Sequence, residues 1–239
     1  MDRLTRRELK QDEFRENVEA VEQFARKHWR QLTAGVVAVA VILGLVIELK
    51  SYSRRQEAAA NVVLGTALKT FNGYVGTVAP GTLSPGDQSF ATAQAKYQKA
   101  LGEFLNVIAK YPHTEAAAYA QIHAAICDAE LGKDNEAIKV LQQPAQSSNP
   151  EIRALARFAL ANEYAKSGQT ASAEKIYQDL SQHPTLSVPR ATALMAMAQM
   201  YSTRQPARAR QIYTQLQKEY ASDQTLAGAI KEQLASLPN

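Results

Sequence analysis

The sequence predicts an all-α protein, with an N-terminal amphipathic helix and a single transmembrane helix ahead of a helical-hairpin solenoid. Three observations carry that prediction. An uncharged apolar run, Thr33 to Ile47 (TAGVVAVAVILGLVI), interrupts an otherwise polar chain. Ahead of it, apolar residues recur every three or four positions. Behind it, small and large apolar residues return with a period of 36.

Residues 1–31 read as one amphipathic helix. Thr5-Arg-Arg-Glu8 fits a capping box, a hydroxyl and a carboxylate placed to satisfy the first free N–H groups. Phe14, Val18, Val21, Ala25 and Trp29 then follow at helical spacing, with charge on the opposite face. Such a helix can lie on a membrane surface, dock on a membrane partner, or serve as a solvated lead-in. The near balance of its charges argues against strong binding to anionic lipid.

Residues 32–49 read as a transmembrane anchor. Gln31 to Ile47 is 17 uncharged residues, at the short end of the roughly 17–25 that cross a bilayer. Trp29 and Tyr52 suit the interface, and Arg30 and Lys50 can snorkel. A cleaved signal peptide fits less well, because about 30 mixed-charge residues precede the run and Glu48-Leu-Lys-Ser-Tyr52 lacks a small-x-small cleavage site. A buried core helix is the other competing reading. Arg26, Lys27 and Arg30 balance Lys50, Arg54 and Arg55, so local charge barely orients the span. The further Arg3, Arg6, Arg7, Lys10 and Arg15 favour a cytoplasmic N-terminus and an exported C-terminal domain.

Residues 50–239 are long enough for one domain with a sizeable core. A helix continues to Phe71. Residues 72–89, with Gly73, Gly76, Pro80, Gly81, Pro85 and Gly86, then form an irregular loop. Its length suits a mobile segment or a binding element, mobile being the default. The repeat follows. Leu101, Ala137, Ala173 and Ala209 form one column, and Leu105, Leu141, Tyr177 and Tyr213 a second. Ile108, Pro144, Leu180 and Leu216 form a third, in which Pro144 is a mismatch. Gly132 and Gly168 each precede an alanine of the first column by five, as turns between antiparallel helices require. Pro112, Pro150 and Pro184 end units. The clearest copy is Leu160-Ala161-x2-Tyr164-x3-Gly168-x4-Ala173-x3-Tyr177-x2-Leu180-x3-Pro184. The copy ending at Ala209, Tyr213 and Leu216 has Gln205-Pro206 at its turn and is shorter by one. The first copy, Ala100-x3-Phe104-x2-Val107, takes the segment near 56–71 as its first helix. Residues 223–237 are expected to cap the stack.

In order and spacing these units resemble the tetratricopeptide repeat. The resemblance implies stacked hairpins whose first helices line a groove. Those positions are Tyr119, Ile122 and Ile126 in the second unit, and Phe158, Asn162 and Lys166 in the third. In the fourth they are Leu194, Ala198 and Tyr201. Some members of that family clamp a peptide carboxylate with Lys and Asn; only Asn162 and Lys166 match here, so a clamp is disfavoured and apolar polypeptide segments fit better.

Other chemistry is not visible. The formal charge is +4 overall, divided as +1 for residues 1–50 and +3 for the rest, too dilute for a nucleic-acid surface. Cys127 stands alone and suits a small buried apolar role. His28, His113, His123 and His183 are scattered, without metal-ligand spacing. Asp134 and Glu136 favour a helix dipole, and Glu151 follows a proline-initiated helix start. No phosphate loop or nucleophile motif occurs. An enzyme is not expected, nor a cofactor, a metal or a small-molecule substrate.

The whole layout, with Leu4-Thr-Arg-Arg-Glu-Leu-Lys10 at its start, resembles the YfgM-type family, an ancillary subunit of the bacterial Sec translocon. This implies an inner-membrane, single-pass protein with periplasmic repeats, acting as an adaptor for translocon subunits, chaperones or exported clients. The alternative is a permanent structural accessory subunit of a membrane complex.

Overall fold

A computed structural model describes residues 6–76 and 87–238. Among them are nine α-helices and two short strands. α1 runs Arg6–Phe71, β1 Tyr74–Val75 and β2 Ser89–Phe90. Then come α2 (Ala93–Lys110), α3 (Glu115–Glu130), α4 (Asp134–Leu141), α5 (Pro150–Lys166), α6 (Thr170–Gln182), α7 (Arg190–Tyr201), α8 (Pro206–Glu219) and α9 (Gln224–Ser236). The chain divides into two compact units, residues 1–55 and 56–239, six residues beyond the boundary at 50 that the sequence suggests.

The first unit is helical from Arg6 onward. Thr5, the first residue of the expected capping box, lies outside the described residues. The side chains of the apolar positions 14, 18, 21 and 25 lie outside them too, while Trp29 is exposed. Val37, Val39, Val41, Ile42, Leu43, Leu45, Val46, Ile47 and Leu49 are all exposed, on every side of the helix. A helix apolar all round is buried in protein or lies in lipid. α1 is long and apolar enough to cross a membrane.

The second unit is built of hairpins packed in sequence order. α3 packs on α2 and α4, α5 on α6, α7 on α6 and α8, and α9 on α8. The first hairpin joins the end of α1 to α2, as the sequence suggests: Ala60, Leu64 and Ala67 pack with Ala100, Phe104, Val107 and the α3 alanines. Small residues in the contact let helix backbones approach closely; in α3 these are Ala116, Ala117, Ala120, Ala124 and Ala125, all buried. Cys127 is free and buried there, its thiol pushed up to about 12 by burial.

The repeat columns hold for three units and slip in the first. Ala137, Ala173 and Ala209 are buried, as are Leu141, Tyr177 and Tyr213. In α2, however, Leu105 is 52% exposed while Ala100, Phe104 and Val107 are fully buried. The inward column therefore begins one residue earlier than the constant period of 36 suggests. Pro144, the mismatch of the third column, is buried at the start of a 3-10 turn, Pro144–Gln146. A proline has no N–H to donate, and α4 ends three residues before it. α4 is consequently 8 residues long, against 13 for α6 and 14 for α8.

The glycine turns behave as expected. Gly132 and Gly168 have φ of 80° and 78°, the left-handed region that glycine enters without steric cost. Each closes a Schellman motif. Gly132 N donates to Ala129 O (3.1 Å) and Lys133 N to Asp128 O (2.8 Å); Gly168 N donates to Ala165 O (3.2 Å) and Gln169 N to Tyr164 O (2.8 Å). The α7–α8 turn has no such glycine; Gln205 N returns to Tyr201 O (2.8 Å) and Pro206 opens α8.

The two ends of the 72–89 loop are stitched together. β1 and β2 pair in parallel. Tyr74 N donates to Gln88 O and Gly76 N to Phe90 O. Lys99 and the buried Thr70 both donate to Gln88 Oε1. A Cβ on Gly73 would lie 2.6 Å from the Phe90 ring, so only glycine fits. Residues 77–86 lie outside the described part, as does the expectation of mobility for them.

A second set of stitches links successive units along the chain. Glu57 accepts from the N–H groups of Glu115 (2.8 Å) and Ala116 (2.9 Å) at the start of α3. Glu115 accepts from the side chain of Asn149 (2.9 Å), the N-cap of α5. Glu151 accepts from the N–H groups of Ser187 (2.7 Å) and Leu186 (3.3 Å), just ahead of α7. These N–H groups would otherwise be left open at turns and helix starts.

Candidate functional site

α3 touches α5 and α5 touches α7, so the first helices of successive units form one layer. Their half-buried side chains are the candidate partner-binding positions. Tyr119 and Ile126 of α3 pack partly on the core and are partly open to solvent. So is Phe158 of α5, whose ring meets Tyr177 edge-on at 6.0 Å.

Asn162 is half-buried and held in place: Tyr177 donates its hydroxyl to Asn162 Oδ1 at 2.6 Å. Burial and the nearby Glu163 raise the Tyr177 pKa, so the phenol stays a donor at neutral pH. Lys166 is exposed, and its ammonium lies 3.6 Å from Glu163 Oε1. Glu163 is nearly fully buried, and its Oε2 finds no partner among the described residues. Burial raises its pKa and Lys166 opposes the shift. Lys166 therefore tends a buried acid.

Four of the sequence-based positions turn inward. Ile122 lies in the α3–α5 core, and Leu194, Ala198 and Tyr201 lie in the core shared by α6, α7 and α8. All are 5% exposed or less. For Leu194 and Ala198 the reason is a unit shorter by one between the paired positions of its two helices, although the turn itself runs four residues (202–205) against three (167–169). Counting back from Ala209 by the spacing of the third unit therefore lands on the core face. The tyrosine contacts give the correct register. Tyr213 donates to Gln199 Oε1 (3.4 Å) as Tyr177 does to Asn162, across 14 residues rather than 15. Gln199 is thus the counterpart of Asn162 and Met195 that of Phe158. Gln199 is exposed and Met195 half-buried. Sequence reasoning missed both, although a unit shorter by one was a sufficient signal.

His123 of α3 stacks on Phe104 (5.3 Å) with Phe71 against its edge (5.1 Å). Burial lowers its pKa, which keeps the ring neutral. Its ring packs in the core between Phe71 and Phe104. Among the described residues, no group of three His, Cys, Asp or Glu side chains could hold a metal ion.

The tetratricopeptide repeat family matches residues 192–223. The match falls on α7–α8, not on the α5–α6 unit that holds the most signature residues. No curated protein and no solved structure matches the chain. Repeats of this family generally mediate protein–protein interaction and are typically non-catalytic. Stacked hairpins in register, glycine-closed turns and the family match together make this an all-α protein with a tetratricopeptide-like helical repeat region.

Proposed function

We propose that this chain is a membrane-anchored adaptor, related in role to the YfgM-type ancillary subunits of the Sec translocon. Residues 32–49 anchor it in the bacterial inner membrane as a single pass, with a cytoplasmic N-terminus and periplasmic repeats. The repeat region binds polypeptides: translocon subunits, chaperones or exported clients. One observation carries the reading. The first-helix layer leaves Tyr119, Ile126 and Phe158 only half covered beside the held amide of Asn162, a surface suited to apolar polypeptide segments. Tethering raises the local concentration of such a surface, so modest affinity suffices.

The test is crosslinking in cells from a photoreactive residue at Phe158 or Tyr119, compared with one at Val21. Varied secretory chains or chaperones captured from the repeat face, with little from Val21, are the expected result. A single dominant membrane product from Val21 and none from the repeats would overturn the adaptor and leave a permanent structural subunit.

A further inference from the structure

The α5–α6 hairpin encloses a cleft of about 450 Å³ that the first-helix layer does not use. Arg153 and Arg157 line it from α5, Asp179 and His183 from the end of α6, over a buried floor of Ala154 and Leu180. The two arginines are four residues apart and so share one helix face. Arg153 Nη1 donates to the carbonyls of Ser147 (2.6 Å) and Ser148 (3.4 Å). Arg157 Nη1 donates to Asp179 Oδ2 (2.6 Å), and His183 Nδ1 lies 3.4 Å from Asp179 Oδ1. Asp179 is the one acid among the residues lining the cleft. The nearby Glu151 is engaged by Leu186 and Ser187.

Charge and donors are therefore in excess. Two guanidiniums face a single carboxylate. Each has five N–H donors, and only Nη1 of each meets a protein acceptor among the described residues. The unused Nε–Nη2 edge is a fork of two parallel N–H groups that matches a carboxylate. The volume is near the lower end of the ~300–1,000 Å³ typical of small-ligand pockets, room for one side chain and not for a helix.

We propose that this cleft receives a carboxylate on a short aliphatic stem, the side chain of a glutamate on a partner polypeptide. The carboxylate meets the open edges of Arg153 and Arg157, and the methylenes lie on Ala154 and Leu180. The adaptor reading supplies the polypeptide; the cleft supplies the chemistry.

The test titrates full-length protein in detergent micelles, ¹⁵N-labelled at arginine, with an acetylated and amidated peptide, Gly-Ser-Glu-Ser-Gly. The arginine Nε–H resonances are followed. A saturable shift is expected with this peptide and none with its Gln counterpart. Arg157→Gln, read at Arg153, should weaken binding roughly tenfold, whereas Asp179→Asn should tighten it several-fold. Both variants break the same ion pair, so a purely structural role moves them together, and that result overturns the proposal. An equal response to the Gln peptide also overturns it. Inorganic phosphate giving the same shifts at equal concentration, or a response only to peptides with a free C-terminal carboxylate, overturns the glutamate source. Failure here leaves crosslinks from Phe158 unaffected. Absent crosslinks beside intact peptide binding would remove the adaptor reading and keep the cleft.

Discussion

The hairpins α5–α6 and α7–α8 solve one packing problem with different turns. Each buries an alanine, a tyrosine and a leucine from its second helix: Ala173, Tyr177 and Leu180, then Ala209, Tyr213 and Leu216. Each tyrosine donates its hydroxyl to an amide on the first helix. Yet one turn uses Gly168 with positive φ, and the other uses Ser202 to Gln205 with none. The core triad fixes how the helices pair, while the turn only has to span the gap. The α7–α8 unit is nonetheless one residue shorter between its paired positions, 14 apart against 15, and that difference moves every first-helix position relative to the second helix.

Breaking the shared triad should have the largest effect. Tyr177→Ala and Tyr213→Ala should each cost about 3–5 kcal/mol, the range for truncating a large buried ring, seen as lowered denaturant midpoints. Equal losses in the two hairpins would bear out the common core; a neutral result in either would break it. The turn comes next. Gly168→Ala forces a Cβ into the left-handed region and should cost about 1–2 kcal/mol. Thr203→Ala in the other turn should stay within about 0.5 kcal/mol.

The amide contacts are smaller and should be unequal. Asn162→Ala removes a 2.6 Å bond and should cost about 1 kcal/mol. Gln199→Ala removes one of 3.4 Å and should cost less. Thermal unfolding of both variants in the same buffer checks the order.

The smallest effect separates the hairpins by pH. The N–H groups of Ser187 and Leu186 lower the Glu151 pKa, so its contribution is full above the ordinary carboxylate pKa. It fades as pH falls through the lowered one. The Tm difference between the native chain and Glu151→Gln should therefore be present at pH 7 and vanish in strong acid. A difference that grows in acid would refute the assignment.

The sequence made the hairpin stack legible because apolar spacing and turn glycines are local signals. In α2 it gave two readings, because apolar residues stand side by side at 100 and 101, 104 and 105, and 107 and 108. The constant period named Leu101, Leu105 and Ile108 and the repeat spacing named Ala100, Phe104 and Val107; packing against Leu64 and Ala67 buries the second set. The candidate face was half legible. Tyr119, Ile126, Phe158 and Asn162 are partly open, while Ile122, Leu194 and Tyr201 went inward. The unit shorter by one explains Leu194, Tyr201 packs in the core shared by α6, α7 and α8, and the neighbouring α5 covers Ile122. The stitches of Glu57 to residues 115 and 116 could not be read at all, because nothing local marks a partner 58 residues away.

Those stitches give the repeat region a direction. In each, the accepting carboxylate belongs to the earlier segment and the donor to the later one. Remove a late hairpin, and an earlier glutamate is simply returned to water. Remove an early one, and the next hairpin starts with bare N–H groups. Shortening the region from its C-terminal end should thus leave a folded remainder more often than shortening it from the front. A chain emerging N-terminus first would meet, at each new hairpin, an acceptor already waiting.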